Sequence, residues 1–420
     1  MPPSMATPSS PKRALFVLTL LLSVWAFAEL ACWAGLWALQ RYKGLEYKPA
    51  VITDLEAKNR ASIEGHLAEP DTYMVFDADL GWTIRPNARK SIYQANSRGL
   101  RASREYDLAP PADRVRIAAF GDSFTHASGV PNAFTWEERL EQLQPGLEVM
   151  NFGIPGSDPG QGLLRYRREG IAFHPGIVLI GMMSENINRM VNTFRPFYFS
   201  RSGLPFSKPR FELHGGRLVL LPNPIRSLDE YRNLLHDPER MLPRLGEHDY
   251  FYRRYHRRSR NDFLPSVRFL RVIGDQYFDQ PILLHGVYNV RAEAYGVTLA
   301  VLRQHYREAL ANGSLPVILL FPQRSDVVGR LAGRPQAYQP LLDELRRSGE
   351  RVLDLGDGFA RYDPQGEMTK RKFIHYPKGG NEMVAQAVRD YLVAEGLVTP
   401  EAVRAAYAKA AKGAAHPAGS

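Results

Sequence analysis

The sequence predicts an α/β protein: a flavodoxin-like three-layer α/β/α sandwich around a parallel sheet of about five strands, carrying an N-terminal transmembrane helix and an insertion after the third strand. Three observations predict it. Short apolar strands alternate with amphipathic helices from Arg114 onward, a strongly apolar run lies near the N-terminus, and a stretch rich in aromatic and arginine residues interrupts the alternation.

The apolar run comes first. "PKRALFVLTLLLSVWAFAELACWAGLWALQRYKG" sets Lys12 and Arg13 before apolar residues 14–39, then Arg41 and Lys43. About 20 such residues cross a bilayer. The leading basic pair favours a cytoplasmic N-terminus, although Arg41 and Lys43 weaken the asymmetry. "AFA" at 26–28 resembles a signal-peptidase site, but the run continues through Trp33, Leu36 and Trp37, so an uncleaved anchor over residues 1–40 is expected. Glu29 is unusual in this setting. A carboxyl inside a membrane segment is a functional candidate; the plainer reading is a protonated or interfacial side chain.

Residues 41–113 read as a polar stalk, helical in part, followed by an extended β-rich wrap over 75–101, and "LAPPADR" marks a boundary. The main domain is expected over 114–396. "VRIAAFG", "LEVMNFG" and "GIVLIGM" are three buried strands, separated by helices near 134–143 and 160–170. After the interruption at about 192–288 come a helix over 294–312, the strand "PVILLFP", a helix over 339–348 with Pro340 in its first turn, the short strand "RVLDLG" and a helix over 380–395. The tail, 397–420, is expected to fray at "AAKGAAHPAGS".

Composition bounds the partners. The 420 residues carry a formal net charge of +10, which favours anionic surroundings such as membrane headgroups or acidic glycans. Nucleic acid is the weaker choice for an extracytoplasmic domain. Cys32 is the single cysteine, so no intrachain disulfide can form. His236 and His248 lack ligand spacing, and no metal or cofactor is assigned. "YRRYHRRSR" is the best basic patch, either a solvated helix face or a contact for anionic glycan or membrane. Trp82, Arg195 and Tyr198 are candidates for a sugar groove or, more plainly, for the core.

The chemistry is concentrated at strand ends. "AAFGDSFTHASG" ends the first strand at Gly121-Asp122-Ser123, and active sites of open α/β sheets lie at that carboxyl edge. Alone, Ser123 could be a helix cap. Gly153 in "MNFGIPGSDPGQ" follows the second strand, Asn186 in "LIGMMSENINR" follows the third, and His375 in "KFIHYPKGGNEMVAQAV" precedes the last helix. Together they offer a nucleophile (Ser123), a base (His375) and oxyanion donors (Ser123 N–H, Gly153 N–H and the Asn186 amide), the set that acyl transfer requires. Asp122 reads as structural. The chain has no G-x-S-x-G elbow.

These blocks resemble the SGNH/GDSL hydrolase superfamily over about 114–193 and 294–396. The third block is looser than that family's Gly-x-Asn-Asp, with Asn188 as a fallback for Asn186. The resemblance implies the flavodoxin-like fold, a serine esterase activity, and an Asp three residues before the histidine. Lys372 occupies that position. Either His375 acts in a dyad oriented by a backbone carbonyl, or Glu185 or Asp158 supplies the acid, or activity is lost; a missing acid would cost several orders of magnitude. The expected protein is a single-pass inner-membrane esterase with a periplasmic domain, cleaving O-acetyl or other O-acyl esters of an envelope carbohydrate. An O-acyltransferase with the same serine, working with envelope polysaccharide machinery, and a non-catalytic glycan-binding scaffold are the alternatives.

Overall fold

A computed structural model describes residues 11–43, 54–199, 203–255, 261–274, 281–370 and 372–415. It divides into two units. One comprises residues 1–52 and 253–280, the other residues 53–252 and 281–420.

In the larger unit, five strands form one parallel sheet: β1 (Val115–Phe120), β2 (Leu147–Asn151), β3 (Ile177–Met183), β4 (Leu315–Phe321) and β5 (Val352–Asp354). Their spatial order is β5-β4-β3-β1-β2. That is the flavodoxin-like order, with its topological switch between β1 and β3. All six residues of β1 are buried and the strand reads as a continuous apolar run apart from Arg116, because helices cover both faces. Alternate residues serve opposite faces. Val115, Ile117 and Ala119 join Val317, Leu319 and Phe321 beneath the helices Trp136–Leu143 and Lys378–Ala394. Phe120 faces the other way, stacked on Phe152 at 4.6 Å and edge-on to Tyr166. On that side Leu163 and Val297 tie the helices Pro159–Arg165 and Glu293–Ala311 together.

The alternating elements read from sequence are present with small boundary shifts. The helix expected from 134 begins at Trp136, because Thr135 adopts extended backbone and its side chain accepts the Glu138 N–H as an N-cap. The tail differs more. Pro400–Ala415 is a helix, with Val403 buried and Ala406 and Ala410 packed on the core; alanine's high helix propensity and this apolar stripe outweigh fraying. The part of the tail beyond 415 lies outside the described residues. Residues 44–53 of the expected stalk lie outside the described residues, and a helix follows them. Ala57–Ala68 is a helix whose Asn59 and Ile63 are buried in the larger unit, because Ile63 has an apolar seat there.

The wrap consists of two antiparallel pairings, Met74–Asp77 with Gly81–Ile84 and Arg89–Lys90 with Tyr93–Gln94. The interruption after β3 holds the hairpin Arg210–His214/Arg217–Leu221 and several short helices. Much of "YRRYHRRSR" lies outside the described residues; its first part belongs to the helix Tyr250–Tyr255.

Gly121 sets the close approach of β1 and β3. A Cβ there would fall 2.2 Å from Thr125 Oγ1 and 2.9 Å from the Gly181 carbonyl oxygen. Gly121→Ala is expected to lower the unfolding free energy by about 1–3 kcal/mol, the cost of overpacking a close-packed core, measured by denaturant titration of the purified protein.

Candidate active site

The switch point separates the loop after β1 from the loop after β3, and one carboxylate joins them again. Asp122 is 1% exposed. Its Oδ1 accepts the Phe124 N–H at 2.8 Å, and its Oδ2 accepts from Asn186 Nδ2 at 2.9 Å and Arg189 Nη1 at 3.1 Å. Arg189 continues the network to the Ser157 carbonyl at 2.8 Å and, through Nε and Nη2, to Glu185 Oε2 at 2.9 and 2.6 Å. The loops after β1, β2 and β3 are thereby tied together behind Ser123.

In front of Ser123 lies a cavity of about 530 Å³, lined among others by Gly156, Met183, Arg195, Gln323 and His375. Ser123 and His375 thus line one cavity. No hydrogen bond joins the two side chains among the described residues. The His375 ring lies 5.6 Å from that of Phe124. Burial, foremost, depresses the His375 pKa; Asp122 opposes this and the Arg189 and Arg195 cations reinforce it. The imidazole is therefore held neutral at pH 7, the form a general base requires.

The structure places the expected oxyanion donors differently. Gly153 is off the cavity wall. It donates its N–H to Asn151 Oδ1 at 2.9 Å, and a Cβ on it would lie 2.3 Å from His126 N, so this glycine serves close packing of two loops. Gly156 lines the cavity instead, and neither its N–H nor that of Ser123 donates a hydrogen bond among the described residues. The signal was available in "IPGS". Pro155 and Gly156 are the central pair of a type II turn closed by Ser157 N–H to the Ile154 carbonyl at 3.2 Å, and Gly156 has the required positive φ of 81°. Trp82, buried at 1% exposure, donates its indole N–H to the Pro155 carbonyl and so backs this turn without lining a groove.

Asn186 is fully buried. Its Oδ1 accepts the Met183 N–H and its Nδ2 donates to Asp122, so the side chain positions the Asp122 loop and does not line the cavity. Asn188 lines a second cavity that adjoins the first. Counted from Gly181, the asparagine of a Gly-x-Asn-Asp block falls on Met183, which is on the cavity wall.

Neither expected acid hydrogen-bonds His375. Glu185 lines the cavity but is spent on Arg189 and on the Tyr198 hydroxyl, 2.8 Å away. Asp158 caps the helix Pro159–Arg165, accepting the Gln161 N–H at 2.9 Å within a capping box. It also pairs with Lys208 at 2.6 Å, both side chains being 3% exposed. Lys372 is exposed. Among the described residues, no carboxylate or carbonyl oxygen accepts a hydrogen bond from the His375 ring.

Arg195 completes the wall. Its Nη1 is 3.5 Å from the Gly156 carbonyl and its guanidinium lies about 6 Å over Tyr198 and Phe199. Its buried Nε has no partner, and no carboxylate pairs with it among the described residues. Burial and neighbouring Arg189 depress its pKa.

No protein-family model matches the chain, and no curated protein matches it. Among solved structures, a G-D-S-L family protein from Desulfitobacterium hafniense DCB-2 is similar at 12% identity and a TM-score of 0.33, covering 66% of this chain and 99% of that one. An alpha/beta hydrolase enzyme from the metagenome of Lake Arreo, Spain, is similar at 15% identity and a TM-score of 0.34, covering 68% and 97%.

Asp158→Ala separates a packing role from a catalytic one. It strips a buried lysine of its counter-charge, which costs about 3–5 kcal/mol of stability, and is expected to shift the unfolding midpoint while any ester turnover of the folded protein is kept. Unchanged stability with lost turnover would instead make Asp158 the acid.

Proposed function

We propose that this chain is a membrane-anchored serine esterase of the SGNH type whose domain lies outside the cytoplasm. One observation carries the reading: Ser123 and a neutral His375 face one cavity at the carboxyl edge of the sheet, with the Ser123 and Gly156 N–H groups uncommitted beside them. His375 takes the Ser123 Oγ proton as Oγ attacks the ester carbonyl. The two N–H groups receive the oxyanion. The alcohol leaves with the proton from His375, and water, deprotonated by the same imidazole, releases the acid and restores Ser123. The hydrogen bond between Ser123 and His375 then closes in the substrate complex, as catalytic contacts often do.

His375 acts in a dyad on this reading. Asp122 contributes from a distance, its negative charge favouring the imidazolium that forms during attack.

The proposed substrate is an O-acylated, acidic carbohydrate of the cell envelope. The net charge of +10 favours it, and Arg195 offers the cavity a guanidinium that pairs with no carboxylate among the described residues. An acceptor hydroxyl in place of water would make the same acyl-enzyme an O-acyltransferase. A specific feature favours keeping this second reading. The adjoining cavity, about 500 Å³, shares Glu185, Gln323 and Ser325 with the first and gives an acceptor chain room beside Ser123.

A fluorophosphonate probe is expected to label the wild type and not Ser123→Ala. An unlabelled wild type would leave the non-catalytic scaffold. Acylated donor supplied with and without an unacylated glycan acceptor distinguishes transfer from hydrolysis.

The pH profile follows from His375. Because its pKa is lowered in the fold, the base stays deprotonated below the ordinary histidine value, so the acid limb of kcat/KM is expected below about pH 6.5. Arg195→Gln is expected to raise KM about 10–100-fold for an anionic substrate, the worth of one charged hydrogen bond, and to leave KM for a neutral aryl ester nearly unchanged.

A further inference from the structure

In the smaller unit, Glu29 has a partner. The anchor helix Pro11–Lys43 is long and apolar enough to cross a membrane. Both carboxylate oxygens of its Glu29 are engaged by one residue at the start of the helix Pro265–Ile273: the Ser266 N–H at 2.8 Å and the Ser266 hydroxyl at 2.6 Å. Leu264, at the N-cap position of that helix, has no side chain able to cap it. Glu29 supplies the missing cap from another element and places negative charge at the positive end of the helix dipole. Six residues further along the anchor, Gly35 lets the helices approach closely: a Cβ there would lie 2.7 Å from Phe269 Cε2.

The exposure of the anchor has a matching pattern. Residues 14–28 are exposed throughout. From Glu29 on, a partly covered stripe appears at Glu29, Cys32, Gly35, Leu36, Ala38 and Leu39, largely the three- and four-residue spacing of one helix face. Trp33 and Trp37 stay exposed on the same stretch, where a membrane span carries its interfacial aromatic residues. Glu29 lies about 18 Å along the helix axis from Arg41 at 1.5 Å per residue. With Arg41 among the outer headgroups of a bilayer about 40–45 Å thick, Glu29 lies just short of the midplane, below the tryptophans.

We infer that residues 261–274 form a membrane-seated helix, dipping into the outer leaflet at Ser266 and held there by Glu29. The inference rests on the membrane-anchor part of the proposed function. A segment that touches a membrane span at Glu29 and Gly35 is in contact with lipid at those depths. Its chemistry suits that position. Phe263 and Leu270 are large apolar side chains left 69% and 67% exposed. Arg268 and Arg271 lie beyond Ser266, where the helix passes Gly35 and climbs towards the interface; Arg268 donates to the Asp262 backbone carbonyl, and Arg271 pairs with the Asp262 carboxylate at 3.4 Å. Long arginine stems reach anionic headgroups from such a depth. The occupant of the exposed apolar side is the acyl-chain region of the outer leaflet, continuous with the lipid around the anchor.

The test uses the full chain, with Cys32→Ser, in vesicles of phosphatidylethanolamine and phosphatidylglycerol. A single cysteine carries an environment-sensitive fluorophore at Leu270 or, in a second protein, at Leu20 in the anchor. The Leu270 label is expected to emit as in an apolar medium and to be quenched several-fold more by shallow than by deep lipid nitroxides. Glu29→Ala, or Ser266→Ala on the other partner should the first variant not insert, is expected to weaken that quenching. Water-like emission unaffected by nitroxide lipids overturns the inference. So does apolar emission without quenching, which would mean a protein neighbour such as a second copy. Failure of the anchor reading is distinguishable, because the Leu20 label would then escape the deep quencher as well.

Discussion

The site depends on one buried carboxylate. Asp122 stands between the serine and the rest of the sheet edge, and its oxygens receive a backbone N–H of its own loop, the amide of Asn186 and the guanidinium of Arg189. Such a group is costly to bury alone and is stable here because each oxygen is satisfied and a cation is paired with it. The consequence is positional. A parallel sheet makes its crevice where the chain leaves β1 and β3 in opposite directions, and two loops diverging there need a cross-tie. Asp122 provides it one residue before Ser123.

The electrostatics of the cavity follow from how that tie is balanced. Arg189 is divided between Asp122 and Glu185, so its charge is largely spent inside the protein. Arg195 is not balanced in this way, and the histidine between burial and two cations is kept neutral. A neutral imidazole and a guanidinium less fully paired than its neighbour are thus separate consequences of unequal pairing among a few buried charges.

Most of the fold was legible in the sequence because parallel strands buried on both faces are continuous apolar runs, and "VRIAAF" or "VILLF" has no other place to go. Ser123 and His375 were legible for a related reason: strand ends and helix starts fix where loops emerge. What lies within a loop was harder to read. Gly153 and Gly156 are three residues apart and both follow β2, yet only turn geometry decides which faces the cavity. Asn186 carried the expected chemistry, but its partner Asp122 is 64 residues away in sequence, and no local pattern reveals that its amide is already engaged. The surroundings of Asp158 were hidden in the same way. An acidic residue followed by Pro-Gly-Gln is a capping sequence, and its pairing with Lys208 depends on the insertion folding back. The tail was underestimated because its alanines read as filler, whereas Val403 gives that helix a buried stripe.

Glu29 reached across to Ser266 has a topological consequence. Residues 253–280 leave the larger unit and return to it, covalently continuous at both ends. With that excursion fastened to the N-terminal helix, the larger unit is tied to the smaller by three chain crossings. Severing the connection at residues 44–53 would leave two of these crossings intact, so the two units would stay joined after a cut that separates any pair held by a single stem.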